Sequence, residues 1–179
     1  VESILQPIYR ENRNWPKLIE AMEVGLKHQD DPLSRVERIL EIAQLWVSEI
    51  GDAEQAFAAY SRAFAEDPGN TQAREELERL AAIQDSWSAL ASLYQQATEK
   101  PLDGSLAHDL LLRLGAIYSS ELQDNERAVA AYRQSLEIEP SDSVALDALQ
   151  SLYSTDGQWN ELLEVYRQKA DQSNDAEER

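Results

Sequence analysis

Tryptophans recur at a constant interval along this chain. Trp15, Trp87 and Trp159 are spaced 72 residues apart, and a leucine follows each of them three residues later. The same shift superposes further large or turn-forming residues: Trp46 on Tyr118, Ala56 on Ala128, Tyr60 on Tyr132, Pro68 on Pro140, Leu77 on Leu149, Leu80 on Leu152, and Tyr94 on Tyr166. A fixed interval of this kind indicates a repeat array, in which each unit packs only on its neighbours.

The apolar residues within each repeat follow the helical period. In residues 36–50, for example, Ile39, Ile42, Ala43 and Trp46 fall on one side of a helix, and the alternation typical of a strand is missing. Gly, Pro, Asp and Asn residues separate the apolar segments, as expected of helix ends. The sequence predicts ten helices, near residues 2–11, 15–28, 33–50, 53–66, 71–82, 86–99, 105–121, 125–138, 142–154 and 158–171.

Ten helices joined by short turns predict five antiparallel hairpins, which is an all-α architecture. The repeat register divides the chain into a partial unit of one hairpin over 1–30, four-helix units over 31–102 and 103–174, and the start of a further helix over 175–179. Because the register begins inside a unit, we expect the chain to be a piece of a longer array. Pro7 predicts that the first helix is short, kinked or frayed, since proline removes a helical hydrogen bond.

The composition restricts the partners of the chain. It has 34 acidic and 16 basic residues, a net charge of −18 spread along both repeats, which argues against nucleic acid and favours a partner with basic residues. It has no cysteine, and therefore no disulfide or thiolate metal site. We find neither a signal sequence nor an apolar run of about 20 residues, so no membrane partner is expected and the cytoplasm is favoured.

The residues of one hairpin carry a family resemblance. Residues 111–140 read LLRLGAIYSSELQDNERAVAAYRQSLEIEP, with the characteristic residues Leu114, Gly115, Tyr118, Ala128, Tyr132 and Pro140. This pattern resembles the tetratricopeptide repeat family, although Ala43 replaces the glycine in the preceding repeat and the inter-helix turns are one residue longer. The resemblance implies a right-handed α-solenoid with a concave face lined by the first helix of each hairpin.

Residues that could suggest chemistry have simpler interpretations here. The four tryptophans, Trp46 included, are expected to pack between helices because they recur at structural offsets. His28 and His108 occupy unrelated repeat positions without a second ligand nearby, so we expect surface residues rather than a metal or acid–base site. Since no nucleophile motif or phosphate-binding loop is present, the sequence predicts neither an enzyme nor a cofactor.

Polar positions on the first helices are the candidates for function. We expect a non-catalytic protein-interaction scaffold that binds a peptide segment or partner helix in its concave groove. The candidate groove residues are Glu37, Glu41, Gln44, Ser48, Glu75, Glu76, Arg79, Asp109 and Arg113. The alternative is an assembly module that stacks or self-associates through its helical ends, or that spaces domains of a larger protein. The candidate residues for that role are Leu5, Ile8, Leu163 and Tyr166.

Overall fold

A computed structural model describes the backbone of residues 2–177 and the side chains of residues 5–171. Every regular element in this part of the chain is helical, which confirms the predicted all-α fold. The helices are α1 (Glu2–Glu11), α2 (Trp15–Leu26), α3 (Pro32–Leu45), α4 (Ala53–Glu66), α5 (Thr71–Gln84), α6 (Trp87–Thr98), α7 (Gly104–Ala116), α8 (Asn125–Ile138), α9 (Ser143–Thr155) and α10 (Trp159–Glu177). No helix in this part is long and apolar enough to cross a bilayer.

The predicted helix ends lie within two residues of the observed ones, with one exception, when the π-helical segments that directly continue α3 (Trp46–Ile50) and α7 (Ile117–Glu121) are counted with those helices. Helix α10 continues to Glu177, so residues 175–177 do not begin a new helix as the register predicted, and residues 178–179 lie outside the described residues. The physical reason is the absence of a helix breaker. Pro32 and Pro101 follow the ends of α2 and α6, whereas the segment 171–177 contains neither proline nor glycine.

The expectation for Pro7 was wrong in part, because α1 runs through it over ten residues. Proline in the first turn of a helix costs no hydrogen bond, because the first four N–H groups have no partner within the helix. Pro7 lies beyond these groups, in the second turn, so the helix loses about one hydrogen bond there but is not shortened.

Side chains cap the helices as the turn residues predicted. The Asp52 carboxylate accepts a hydrogen bond from the Gln55 N–H at 3.0 Å, and Gly51 ends the preceding helix with φ of +75°. Asn70 caps α5 through the Ala73 N–H at 2.9 Å. At Asp31 the hydroxyl and N–H groups of Ser34 both donate to the carboxylate and lower its pKa.

The extra residue of the inter-helix turns is absorbed by π-helical geometry. A π-helical segment, Trp46–Ile50, follows α3, and another, Ile117–Glu121, follows α7 at the equivalent place in the next repeat. The N–H of Asp52 bonds the carbonyl of Trp46 at 3.0 Å, and its equivalent, Asp124, bonds Tyr118 at 2.8 Å. A π turn holds one more residue than an α turn, so the repeats lengthen without losing their register.

The chain forms two compact units, residues 1–90 and 91–179, and the division between them falls within the residues of α6. The repeat register places its divisions elsewhere, after residues 30 and 102. The core of unit 1 contains fully buried aliphatic and aromatic side chains from α2 to α5: Leu18, Met22, Ile39, Ile42, Tyr60, Phe64, Leu77 and Leu80. In unit 2 the corresponding core includes Tyr94, Leu110, Tyr132, Leu149 and Tyr153.

Two of the predictions for individual side chains were wrong. Trp159 is 67% exposed and does not pack between helices, because no described helix lies over this side of α10; the other three tryptophans are half-buried. His108 is not a surface residue, since its side chain is only 17% exposed. His28 is exposed, as predicted.

His108 connects three helices of unit 2. Its Nδ1 lies 3.2 Å from the carbonyl oxygen of Ser135 at the end of α8, and its Nε2 lies 3.2 Å from the carboxylate of Asp142. Asp142 also caps α9 through the Ala145 N–H. Both partners of the ring thus lie where a neighbouring helix ends or begins. The role of His108 is therefore structural.

Candidate interaction surfaces

The predicted groove residues of unit 1 lie on α3, on the π-helical segment after it, and on α5. Glu41 on α3 forms an ion pair with Arg10 on α1. Glu76 and Arg79 on α5 pair with each other, with Oε2 and Nη2 at 2.6 Å. The partner of Arg79 is thus the residue three positions earlier on the same helix. The positive charge of Arg79 is therefore balanced within its own helix.

The hydroxyl of Tyr60, on α4, interacts with side chains of both α3 and α5. It donates to Oε1 of Gln44 on α3 at 3.2 Å, while the charges of Glu76 and Arg79 on α5 both act on it. Burial, with a smaller contribution from Glu76 that Arg79 partly offsets, raises the pKa of Tyr60 to about 12. The Tyr60 hydroxyl is thus hydrogen-bonded to Gln44, and Glu76 and Arg79 are close enough to affect its pKa. We call Gln44, Glu76 and Arg79, together with Glu37 and Glu41, the first-helix face of unit 1.

The raised pKa of Tyr60 predicts a pH dependence at high pH. An unfolded chain releases this proton near pH 10 and the folded one near pH 12, so the stabilisation is complete below pH 10 and is lost as the pH rises to 12. We expect Tyr60→Phe to flatten the fall in the free energy of unfolding over this range. The measurement is urea denaturation at several pH values. A tyrosinate absorbance step near pH 10 that disappears in Tyr60→Phe would contradict the assignment.

A polar cleft of about 420 Å³ opens beside α3 in unit 1. It is lined by Gln6, Gln29, Ser34, Glu37, Arg38 and Glu41. Its walls offer amide, hydroxyl, carboxylate and guanidinium groups, with no apolar side chain among them. A cleft with this lining is suited to polar or charged groups of a partner rather than to an apolar anchor.

Other predicted groove residues make no comparable site. The hydroxyl of Ser48 donates to the carbonyl of Gln44 in its own helix at 2.8 Å. Glu75 is exposed. In unit 2, Arg113 pairs with Asp109 at 3.1 Å, four residues earlier on α7. Arg113 and Asp109 occupy the repeat positions of Glu41 and Glu37, respectively. Here, however, the two residues carry opposite charges and pair with each other.

Sequence reasoning missed Arg10 and the amides of Gln6 and Gln29, which contribute to this site. They come from α1 and from the turn before α3, and the repeat-equivalent positions carry unrelated residues: Ala82 stands 72 residues after Arg10. No periodic signal could therefore have indicated them. Tyr60 was predicted as a core residue, which is correct for its ring, but its hydroxyl reaches the polar face.

A second surface lies on α10 in unit 2. Trp159, Leu163 and Tyr166 are 67%, 49% and 49% exposed, and their spacing of four and three residues places them on one side of the helix. We call this set the α10 face. Of the other predicted end residues, Ile8 in unit 1 is 46% exposed and Leu5 is half-buried. Large exposed apolar side chains that cluster in this way indicate a contact surface.

The described residues contain no cluster of three or more side chains able to hold a metal ion. The carboxylates with described partners accept from arginine, lysine, histidine, asparagine, hydroxyl or backbone N–H groups of the same helical units, which are structural roles. Both surfaces can therefore contribute hydrogen bonds, charge and apolar area, which are the means of binding a partner.

Comparison with known proteins identifies the kind of repeat. Tetratricopeptide repeat models match residues 108–142 and 145–179. No curated protein sequence is significantly similar to this chain. Among solved structures, MamA is 18% identical with a TM-score of 0.55, covering 97% of each chain. BtubC from P. vanneervenii is 17% identical, with a TM-score of 0.52 and coverage of 96% of this chain and 80% of that one.

A tetratricopeptide repeat protein from Parabacteroides merdae ATCC 43184 is 14% identical with a TM-score of 0.50, covering 97% of this chain and 66% of that one. At these identities the likeness shows the fold. The repeat matches and the fold agree with the residue pattern of 111–140. Residues 108–142 and 145–179 are therefore tetratricopeptide repeats, and proteins built from such repeats are in general non-catalytic scaffolds for protein–protein interaction.

Proposed function

We propose that this chain is a scaffold that binds an extended segment or a helix of a partner protein along the first-helix face of unit 1. The polar cleft beside α3 supports this proposal more than any other feature. It is open, it lies on the first helices of two successive hairpins, and its lining is polar and charged and includes the exposed carboxylate of Glu37. The pair formed by Asp109 and Arg113 is a further proposed contact in unit 2, at the equivalent register.

The proposed partner segment carries basic residues. A lysine or arginine entering the cleft meets the exposed carboxylate of Glu37 and that of Glu41, which Arg10 already shares. Arg38 lies in the same lining, so the local excess of negative charge is small. The net charge of −18 adds a long-range attraction that acts mainly on the rate of association and weakens with salt.

The test is a binding measurement with charge reversal in the cleft. Short peptides of varied lysine and arginine content are screened on an array, and the strongest binder is labelled for fluorescence anisotropy with the full chain. We expect Glu37→Lys to weaken binding about tenfold, because it places like charges together. The affinity should also fall when the salt concentration rises from about 0.05 M to about 0.3 M.

A matched control separates the cleft from the overall charge. Glu20 is an exposed carboxylate on α2 that does not line the cleft, so Glu20→Lys changes the net charge by the same amount. We expect this variant to bind within about twofold of the unchanged chain, as a rim or remote charge does. Equal losses in the two variants would show that the peptide responds to the overall field, and the proposed site would be wrong.

A second candidate function is assembly through the ends, which the exposure of the α10 face favours. Leu163 and Tyr166 on α10, and Ile8 on α1, are each about half exposed although they are large and apolar. In this role the chain would join another protein through helix packing rather than through a polar groove. The two functions involve different surfaces, so variants of one leave the other intact.

A further inference from the structure

Two carboxylates of α3 line the polar cleft, but they differ in what they bind. Glu37 and Glu41 are four residues apart, which places them on one side of the helix, about 6 Å apart along its axis. Glu41 holds the guanidinium of Arg10, which comes from α1. Glu37 is exposed, and no residue in the described part of the chain pairs with it. The cleft therefore has one carboxylate that is open and one that is occupied.

The ion pair of Arg10 and Glu41 shows which kind of group the cleft can hold. The two side chains are 45% and 42% exposed, so solvent reaches both of them. Ion pairs with this exposure are weak, because water screens the attraction and two long side chains lose their freedom. A guanidinium that a partner delivers can therefore take the place of Arg10 on Glu41 at little cost.

The lining of the cleft favours an extended segment over a helix. A helix docks in a groove through an apolar stripe, and no apolar side chain is among the residues that line the cleft. An extended segment brings backbone N–H and C=O groups that need hydrogen-bond partners. The amides of Gln6 and Gln29 and the hydroxyl of Ser34 lie in the same lining. The cleft thus suits the backbone of an extended segment as well as its charged side chains.

The spacing of the two carboxylates selects the spacing of the bases. In an extended segment, residues two apart point to the same side and lie about 6.5 Å from each other, whereas residues one or three apart point to opposite sides. We propose that the cleft binds an extended segment with two basic residues separated by one residue. One base pairs with Glu37, and the other displaces Arg10 from Glu41. This inference rests on the proposed function, and it names the partner sequence and the residue that competes with it.

Arg38 limits the number of bases that the segment can carry. It is the third charged residue of the lining, beside Glu37 and Glu41. A third base in the cleft would meet this guanidinium and would find no further carboxylate among the lining residues, and like charges at an interface are unfavourable. The cleft therefore favours two spaced bases over a continuous basic tract.

The probes for the test are three synthetic peptides of identical composition, each with two arginines in a serine and glycine background. The arginines are adjacent, separated by one residue, or separated by two. Each peptide is titrated into the full isotope-labelled chain, and amide NMR shifts give the dissociation constant. We expect the peptide with one intervening residue to bind about threefold to fivefold more tightly than the other two, a modest ratio because the pairs are partly exposed. Since the peptides have equal charge, the net charge of −18 attracts them equally.

The competition by Arg10 is tested by removing its charge. We expect Arg10→Gln to strengthen binding of the peptide with one intervening residue about threefold, because Glu41 is then open. Lys17 is exposed on α2 and does not line the cleft, so Lys17→Gln is the matched control with the same change in net charge. This variant should bind within about 1.5-fold of the unchanged chain, as a remote charge does.

The effect of Arg10 should also depend on Glu41. In the variant Glu41→Gln, we expect the three peptides to bind equally, because the second arginine has no carboxylate to meet. Adding Arg10→Gln to this variant should change binding no more than Lys17→Gln does. Such non-additivity is expected of two residues that act through one contact. The amide spectra also show whether each variant keeps its fold.

Equal binding of the three peptides to the unchanged chain, or a preference for another spacing, would overturn the proposed segment. So would failure of all three to bind when the peptide selected from the array does bind. A gain in Arg10→Gln no larger than in Lys17→Gln would overturn the displacement of Arg10. In each of these cases Glu37→Lys can still weaken the selected peptide, and the proposed function would stand. If Glu37→Lys has no such effect, the proposed function fails and this inference fails with it.

Discussion

Replacing Tyr94 with alanine is expected to lower the free energy of unfolding by about 3 to 5 kcal/mol, as for large buried aromatic residues. The same change at Tyr166, 72 residues later, should lower it by less than about 1 kcal/mol. The two tyrosines occupy the same place in successive repeats, but Tyr94 is 0% exposed and Tyr166 is 49% exposed. The difference arises because Tyr94 loses packing on all sides, whereas half of the Tyr166 side chain already contacts water.

Urea denaturation followed by circular dichroism measures this difference. The pair is its own control, since residue type, helix type and repeat position are the same in both variants. Equal destabilisation would mean that Tyr166 is covered in solution, for example in a dimer. That result would contradict the exposed α10 face.

The change Gly115→Ala is expected to destabilise the chain by about 1 to 2 kcal/mol, although alanine is the better helix former. An ideal Cβ at Gly115 would lie 2.7 Å from two carbons of the Tyr132 ring, which is buried and rigid. Overpacking of this kind costs about 1 to 3 kcal/mol, against a gain in helix propensity of about 1 kcal/mol. The clash therefore outweighs the gain, and α8 must shift away from α7.

Gly104 is the control for this substitution. It also lies in α7, but the nearest atom to an added Cβ is Cγ2 of Ile138 at 3.8 Å, an ordinary contact. We expect Gly104→Ala to be neutral or slightly stabilising in thermal and urea unfolding. Position 43 on α3, which is equivalent to position 115 on α7, already carries alanine. A pair of helices can therefore pack with a Cβ at this position when the rest of the interface is built for it. A Gly115→Ala chain as stable as Gly104→Ala would show that α7 and α8 adjust freely.

Much of the fold could be predicted from the sequence because each packing position of the repeat occurs in the chain more than once. A large residue that recurs 72 positions later, such as Tyr60 and Tyr132, must serve the shared packing, and both are buried. Capping residues such as Asp52 and Asn70 fixed the helix starts for local reasons that need no tertiary structure. The longer turns were also visible, but their π-helical geometry was not.

The same reasoning failed where a residue depends on what covers it. Trp159 has the same repeat position as Trp15, yet it is exposed because burial is a property of the neighbouring helix and not of the residue. Periodicity predicts which side of a helix can be covered, and only the structure shows whether it is. The sequence therefore suggested Leu163 and Tyr166 as candidate contact residues, but it did not suggest Trp159, which is the most exposed residue of the α10 face.

Candidate groove residues were harder to predict because surface contacts do not repeat. Arg10 pairs with Glu41 across 31 positions, and nothing in the register distinguishes this arginine from the others. His108 illustrates the same limit in the core, since its two partners come from α8 and from the start of α9. Such contacts depend on the exact packing of helices, which a helical pattern does not specify.

Hydrogen exchange of the full chain with the selected basic peptide bound is the most direct test of the proposed function. The account predicts new protection in α1 and α3, around the polar cleft and Glu37, with α10 unchanged. Protection confined to α10 would instead place the peptide on Trp159, Leu163 and Tyr166, and would contradict the first-helix face as the binding surface.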